Sequence, residues 1–257
     1  MQSLEKHEKI KITTGTKEWA DSNVNCIKGC YNDCRYCYAK VMARRFNRIT
    51  DNNWAIMLVN DNSVNKSYLK KSGRIMFPST HDIFDFDPYK GACFKVLENL
   101  LNANNDVLIT TKPRIKVIQE IIDRFYCFKN QIQFRFTITS KEDQLLKFWE
   151  PNAPNFTERI SSLKLAFNKG YKTSVSIEPF LDYDPLPLIN EIQSFVTESI
   201  WLGKMNYIAK EGLSPQDQEF YNKVRKNYEL AHLNDLVKEV TKNPKIRLKD
   251  SIKNKFA

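Results

Sequence analysis

From residue 74 onward the chain alternates between two rhythms. A short apolar or β-branched run, a polar loop and a stretch with apolar positions three and four apart follow one another five times. "RIMF" leads to "YKGACFKVLENLLNA", "DVLITT" to "PRIKVIQEIIDRFY", and "IQFRFTIT", after a loop, to "TERISSLKLAFNKG". "KTSVSIE" then leads to "LPLINEIQSFV", and "SIWLG" to a long segment beginning at Ser214. Five such units predict parallel strands with helical crossovers, because parallel neighbours need a connection of a dozen or more residues. "DVLIT" and "KTSVSI" are nearly continuous in apolar or β-branched residues, as expected where helices cover a sheet.

Capping residues mark the predicted helices. Thr157 fits an N-cap and Gly170 a stop, Pro113 a first-turn proline, and Ser214 with Pro215 the start of the last long helix. Residues 1–18 and 47–72 show no comparable repeat and read as irregular. With a poor first strand just before Cys26 the count is six units, short of the eight of a closed barrel. The fold class is therefore α/β, a partial (β/α)6 TIM-like barrel of parallel strands with outer helices, in a single domain over 1–257. Functional residues in such folds stand on the loops after the carboxyl ends of the strands.

Composition adds three points. With 257 residues, 42% of them hydrophobic, the chain can bury a core. The opening "MQSLEKHEKIKITTG" is charged, and no run approaches the ~18 apolar residues that span a bilayer, so a cytoplasmic location without a membrane partner is expected. The net charge of +10 suits a polyanion such as nucleic acid, and about half of it lies in the basic C-terminal segment 241–257; a solvated lysine-rich surface accounts for it equally well.

The chemistry concentrates in "GCYNDCRYCYAK", where Cys30, Cys34 and Cys37 are spaced C-x-x-x-C-x-x-C. In a reducing compartment such a group holds a metal or does redox chemistry. Structural zinc usually takes four ligands in two close pairs. No second pair exists here, although Cys26 or a remote His81 would complete a set. The other reading uses the deficit: three thiolates on a four-iron cluster leave one iron open to a small molecule. "AKVMARRF" then starts a helix that anchors the loop.

"GCYNDCRYCYA" resembles the signature of the radical S-adenosylmethionine superfamily, in which three cysteines bind a 4Fe-4S cluster. That stretch, "PSTHDIFDFDPY", "LITTKPR", the segment from "FTITSKEDQ" to "SSLKLAFNKG", and "VSIEPFL" follow the order seen in the group around spore photoproduct lyase. The resemblance covers roughly residues 25–210. It implies a partial barrel and reductive cleavage of S-adenosylmethionine to a 5′-deoxyadenosyl radical that abstracts hydrogen from a substrate. It also implies a reductant such as flavodoxin or ferredoxin.

Carried onto this chain, the resemblance puts Tyr36 near the adenine, Ser79, Thr80 and Asp82 at the methionyl amine, and Arg159 at its carboxylate. Thr139 and Ser140 would meet the ribose, unless they cap the helix at "KEDQLLKFW". Glu178 ends a strand and is expected to point into the barrel mouth as a cofactor-binding residue near S-adenosylmethionine, while Lys112, Lys204 and Asn206 are expected to face substrate. The family's usual Gly-Gly-Glu motif is replaced by "PSTHD". Spore photoproduct lyases carry a hydrogen-donor cysteine in their C-terminal part, and this chain has none after Cys127. Photoproduct repair itself is therefore not expected, and the substrate is a nucleic acid, a nucleotide, or a peptide or small metabolite. Cys93 and Cys127 read as core residues, His7 and His232 as solvent-facing, and Phe84, Phe86 and Tyr89 as packing over the barrel. A reading from another class is a zinc- or cluster-stabilised module that binds nucleic acid through the basic C-terminal segment without catalysis.

Overall fold

A computed structural model describes residues 14–49 and 53–256; residues 1–13, which include His7 and most of the expected N-terminal irregular segment, lie outside them. Seven parallel strands form one sheet in sequential order: β1 (Ser22–Asn23), β2 (Arg74–Phe77), β3 (Asp106–Thr111), β4 (Ile132–Thr137), β5 (Lys172–Ile177), β6 (Ile200–Leu202) and β7 (Ile246–Leu248). This is the expected partial barrel with one strand more. The crossover helices are α1 (Tyr38–Arg45), α2 (Tyr89–Asn102), α3 (Ile115–Arg124), α4 (Asp143–Trp149), α5 (Phe156–Asn168), α6 (Leu186–Ile192), α7 (Pro215–Asn227) and α8 (Leu230–Val240). Among the described residues no helix is long and apolar enough to cross a membrane.

The two faces of the sheet differ in kind. Ile75, Phe77, Val107, Ile109, Phe134, Phe136, Val175 and Ile177 belong to the main apolar core with the helices. The alternate positions point into the barrel. There Thr110, Arg135 and Ser174 are paired across β3, β4 and β5, and Ser176 opposes Trp201. β4 and β5 are thus apolar on one side only, against the nearly continuous run expected for β5, whereas the buried Met76 and Leu108 make β2 and β3 apolar on both sides, as expected for β3.

Local signals held at two of the four helix ends they marked. Ser214 accepts from the Asp217 amide at 3.1 Å with Pro215 behind it, and Gly170 takes φ +71° after α5. Two boundaries move: Asn155, rather than Thr157, caps α5 by accepting from Glu158 at 2.9 Å, and Pro113 lies before Arg114, the N-cap of α3. Cys93 is buried, but Cys127 is exposed, because Phe125 in the same turn takes the inward place. Phe84, Phe86 and Tyr89 pack on one another, with centroids 5.5 and 5.6 Å apart.

The basic C-terminal segment is part of the barrel. β7 pairs with β6, and Lys249 is buried against Glu18 with Nζ 2.6 Å from the carboxylate. Lys249 also donates to the Gly15 carbonyl at 2.7 Å, and the Gly15 amide donates to Asp250 at 2.9 Å. The chain leading into β1 is therefore clasped to the chain leaving β7, and side chains bridge the seam where no strand ladder does. Lys245 is likewise committed, to the Gln193 and Val196 carbonyls at 3.0 and 2.7 Å.

Candidate active site

The cysteine loop leaves a two-residue strand, Ile27–Lys28, that pairs antiparallel with Leu58–Val59. Gly29 has φ +84°, and a Cβ there would stand 2.6 Å from the Ile56 carbonyl, so only glycine lets the loop press on the turn before Leu58–Val59. The Cys30 amide donates to the Trp54 carbonyl at 2.9 Å. Cys37 is the N-cap of α1, its sulfur accepting from the Lys40 amide at 3.4 Å. Asn32 donates to Asp82 at 2.6 Å and accepts from Arg114 at 2.9 Å. Four elements thus hold twelve residues of loop.

The loop opens on a cavity of about 520 Å³ at the carboxyl ends of the strands. Of the residues expected at the site, Cys30, Cys34, Cys37, Tyr36, Ser79, Thr80, Asp82, Lys112, Glu178, Lys204 and Asn206 line it. Thr139, Ser140 and Arg159 do not. Arg159 is wholly buried behind the wall, paired with Glu150, and its Nε donates to the Pro154 carbonyl at 2.8 Å. Thr139 donates to the same Glu150 at 2.8 Å. Ser140 donates to Asp182 and accepts from the Glu142 amide at 2.8 Å, while Glu142 is the N-cap of α4, which has no side-chain cap. Tyr36 borders the cavity with its ring, while its hydroxyl donates to Glu150.

Glu150 is the residue the sequence reading missed. Burial opposes its charge, but Arg159 and Lys112 outweigh burial and hold its carboxyl below the ordinary range. Its one carboxylate anchors Tyr36 of the cysteine loop, Thr139 after β4 and Arg159 of α5. Arg159 was the available clue, a cation in the first turn of a helix where the dipole opposes it. Asn25 was also missed: its side-chain oxygen accepts from the Ser79 and Thr80 amides at 2.7 and 2.9 Å, shaping that loop. Asp82 is committed too, accepting from Asn32, Thr111 and the Ile83 and Lys112 amides.

The cysteines were tested against the two metal readings. Cys26 faces away from the trio, with its sulfur 3.8 Å from that of Cys93. The Cys26 amide donates to His81 Nε2 at 3.1 Å, which leaves Nδ1 to donate to the Asp82 carbonyl at 2.9 Å. Both residues are thus used elsewhere. Among the described residues no three His, Cys, Asp or Glu side chains are grouped to hold a single ion; the trio lines a shared cavity. Burial pushes the Cys30 and Cys37 thiols up and Cys34 to about 12, with Lys112 pulling Cys34 back. Such thiols ionise when a cationic centre enters, and soft ligands spaced round a shared cavity suit a cluster of several irons. In the same wall, Trp54 Nε1 and Thr110 Oγ1 are buried without a hydrogen-bond partner, as polar atoms awaiting a ligand would be.

Burial raises Glu178 to about 7, against the pull of Lys249 and Arg135. A carboxyl whose folded pKa lies above its unfolded value favours folding when protonated, so its contribution is present below pH ~4.3 and lost as pH rises through about 7. Glu178→Gln is expected to flatten the fall in stability between pH 5 and 7.5 by on the order of 1–3 kcal/mol, read from urea midpoints at each pH. An unchanged slope would mean that the carboxyl is already hydrated and ordinary.

No protein-family model matches the chain. An uncharacterized protein of Methanocaldococcus jannaschii is 25% identical over 80% of this chain and 75% of its own length. One of Acidianus two-tailed virus is 27% identical over 63% of this chain. Among solved structures, Streptococcus suis SuiB bound to S-adenosylmethionine aligns with a TM-score of 0.53 at 13% identity over 89% of this chain. Spore photoproduct lyase complexed with dinucleoside spore photoproduct aligns at 0.50 and 15% over 80%, and a point mutant of that lyase at 0.54 and 13% over 88%. The chain has the fold of these proteins. It spans about half the length of the viral relative (55%) and of SuiB (46%), and 60% of the lyase in its complex.

Proposed function

We propose that the chain is a radical S-adenosylmethionine enzyme. The observation that carries this reading is that the cysteine trio shares one cavity with Ser79, Thr80, Asp82 and Lys112, at the strand ends of a barrel like that of an S-adenosylmethionine-bound protein. Cys30, Cys34 and Cys37 would hold a 4Fe-4S cluster, which when bound supplies the electron that cleaves the sulfonium compound and so starts hydrogen abstraction. The chain's own residues bind and orient. Ser79 and Thr80 offer hydroxyl acceptors to the methionyl ammonium, on a loop shaped by Asn25. Lys112, whose ammonium lies 5.6 Å over the Tyr36 ring, is the cation available to the carboxylate, because Arg159 is committed to Glu150.

A nucleic acid or nucleotide is proposed as substrate, and flavodoxin or ferredoxin as electron donor. The basic charge supports the former, as does the fold shared with a lyase solved with a dinucleoside photoproduct. The module reading has less to draw on, since most basic groups of its binding segment are committed within the fold.

Anaerobic reconstitution is expected to give a brown protein with about four iron per chain, and 5′-deoxyadenosine once dithionite and S-adenosylmethionine are added. Alanine at any of the three cysteines should remove both. A colourless protein with one zinc would sink the proposal.

A further inference from the structure

Lysines outnumber carboxylates in the lining of the cavity, four to two. Four lysines line it: Lys17, Lys112, Lys204 and Lys249. Lys249 is balanced by Glu18. Among the described residues, Lys17, Lys112 and Lys204 have no carboxylate within ion-pair distance. Asp82 and the buried Glu150 act on Lys112, and burial weakens the charge of Glu178, so no carboxylate is left for Lys17 and Lys204. S-adenosylmethionine brings a single carboxylate and two cationic centres, so it satisfies Lys112 beside the cysteines and leaves the others.

The two others line the same cavity. Lys204 follows β6, three strands round the barrel from Lys112, and its amide is fixed to Ser251 at 3.1 Å. Lys17 belongs to the turn that the terminal clasp holds against the same rim. Burial, and after it the nearby Lys255, pulls the Lys204 ammonium below the ordinary lysine range. At the same rim Tyr38 borders the cavity with Tyr207 close by, both exposed, so a ring joined to the anion has somewhere to lie.

We propose that Lys17 and Lys204 form the substrate subsite of this cavity and that it takes an anionic group, a phosphate ester or a carboxylate. The subsite rests on the cofactor reading only in calling its ligand a substrate. Asn206 lines it beside the lysines, as a donor to the same anion.

Calorimetric titration of the purified chain with inorganic phosphate and, separately, with glutarate tests this, using wild type, the double variant Lys17→Gln/Lys204→Gln, and Lys204→Arg. At least one probe is expected to bind wild type, roughly tenfold or more weaker to the double variant, and at near wild-type strength to Lys204→Arg. Which probe binds identifies the anion's source. Binding of neither probe, or equal binding to wild type and double variant, overturns the proposal. Titration with S-adenosylmethionine keeps the two readings apart, since its affinity should not change in the double variant. Lysine-dependent anion binding in a chain that does not bind S-adenosylmethionine would preserve the subsite and remove the cofactor reading.

Discussion

Glu150→Ala is expected to lower the free energy of unfolding by about 3–5 kcal/mol, the cost of leaving a buried cation without its partner. Arg159 is 0% exposed and Glu150 1%, so no water can take over from the lost carboxylate. The Pro154 and Thr137 carbonyls would still accept from the guanidinium, at 2.8 and 3.3 Å, but neither carries a full charge. Tyr36 and Thr139 lose their acceptor in the same step. Because Tyr36 lies between Cys34 and Cys37, the damage should also reach the cysteine loop. Glu150→Gln keeps an acceptor and loses the charge, so it should fall between wild type and alanine. Urea denaturation of both variants is the measurement, and a cost below about 1 kcal/mol for alanine would show that Arg159 does not depend on this carboxylate.

Lys249→Ala should cost about 2–4 kcal/mol, less than Glu150→Ala although the pair is buried nearly as deeply. The reason is a second cation: Lys253 lies 3.3 Å from the same Glu18 and can stay there when Lys249 is gone. Lys249 does more than balance charge, since its ammonium lies 4.5 Å from the Trp19 ring and 5.7 Å from Trp201. Its loss should loosen the segment from Gly15 to Trp19, seen as faster limited proteolysis there. Lys253→Ala, at a 56% exposed side chain, is the control and should cost under about 1 kcal/mol. Equal costs for the two lysines would mean that the clasp is held by the exposed pair instead.

How much of this was legible in the sequence follows from the range of each interaction. The alternating rhythms reported five strand and helix units, because burial of an apolar face is a periodic, local property. The cysteine spacing reported the loop for the same reason. β7 was hidden, since "KIRLKD" looks solvated until Glu18, some 230 residues earlier in the chain, is known to face Lys249. Glu150 was hidden in "FWEPN", where nothing nearby marks a carboxylate as buried. The proposed ribose and carboxylate contacts of Thr139, Ser140 and Arg159 came from the resemblance alone, and here those side chains turn toward Glu150 and Asp182, behind the cavity. The polar lumen could have been read from "TSVS" and "QFRFT", whose alternation is two-sided: apolar one way, hydroxyl, amide and guanidinium the other.

That two-sidedness bears on how such a chain can change over generations. Positions that grip the helices cannot drift without loosening the whole, whereas Thr110, Gln133, Ser174 and Ser176 look inward and fill little of the apolar core. Random libraries confined to Thr110 and Ser176, the two of these that line the cavity, should keep most members folded while altering what the lumen admits, so new specificities lie closer in sequence than the rigidity of the outer wall suggests.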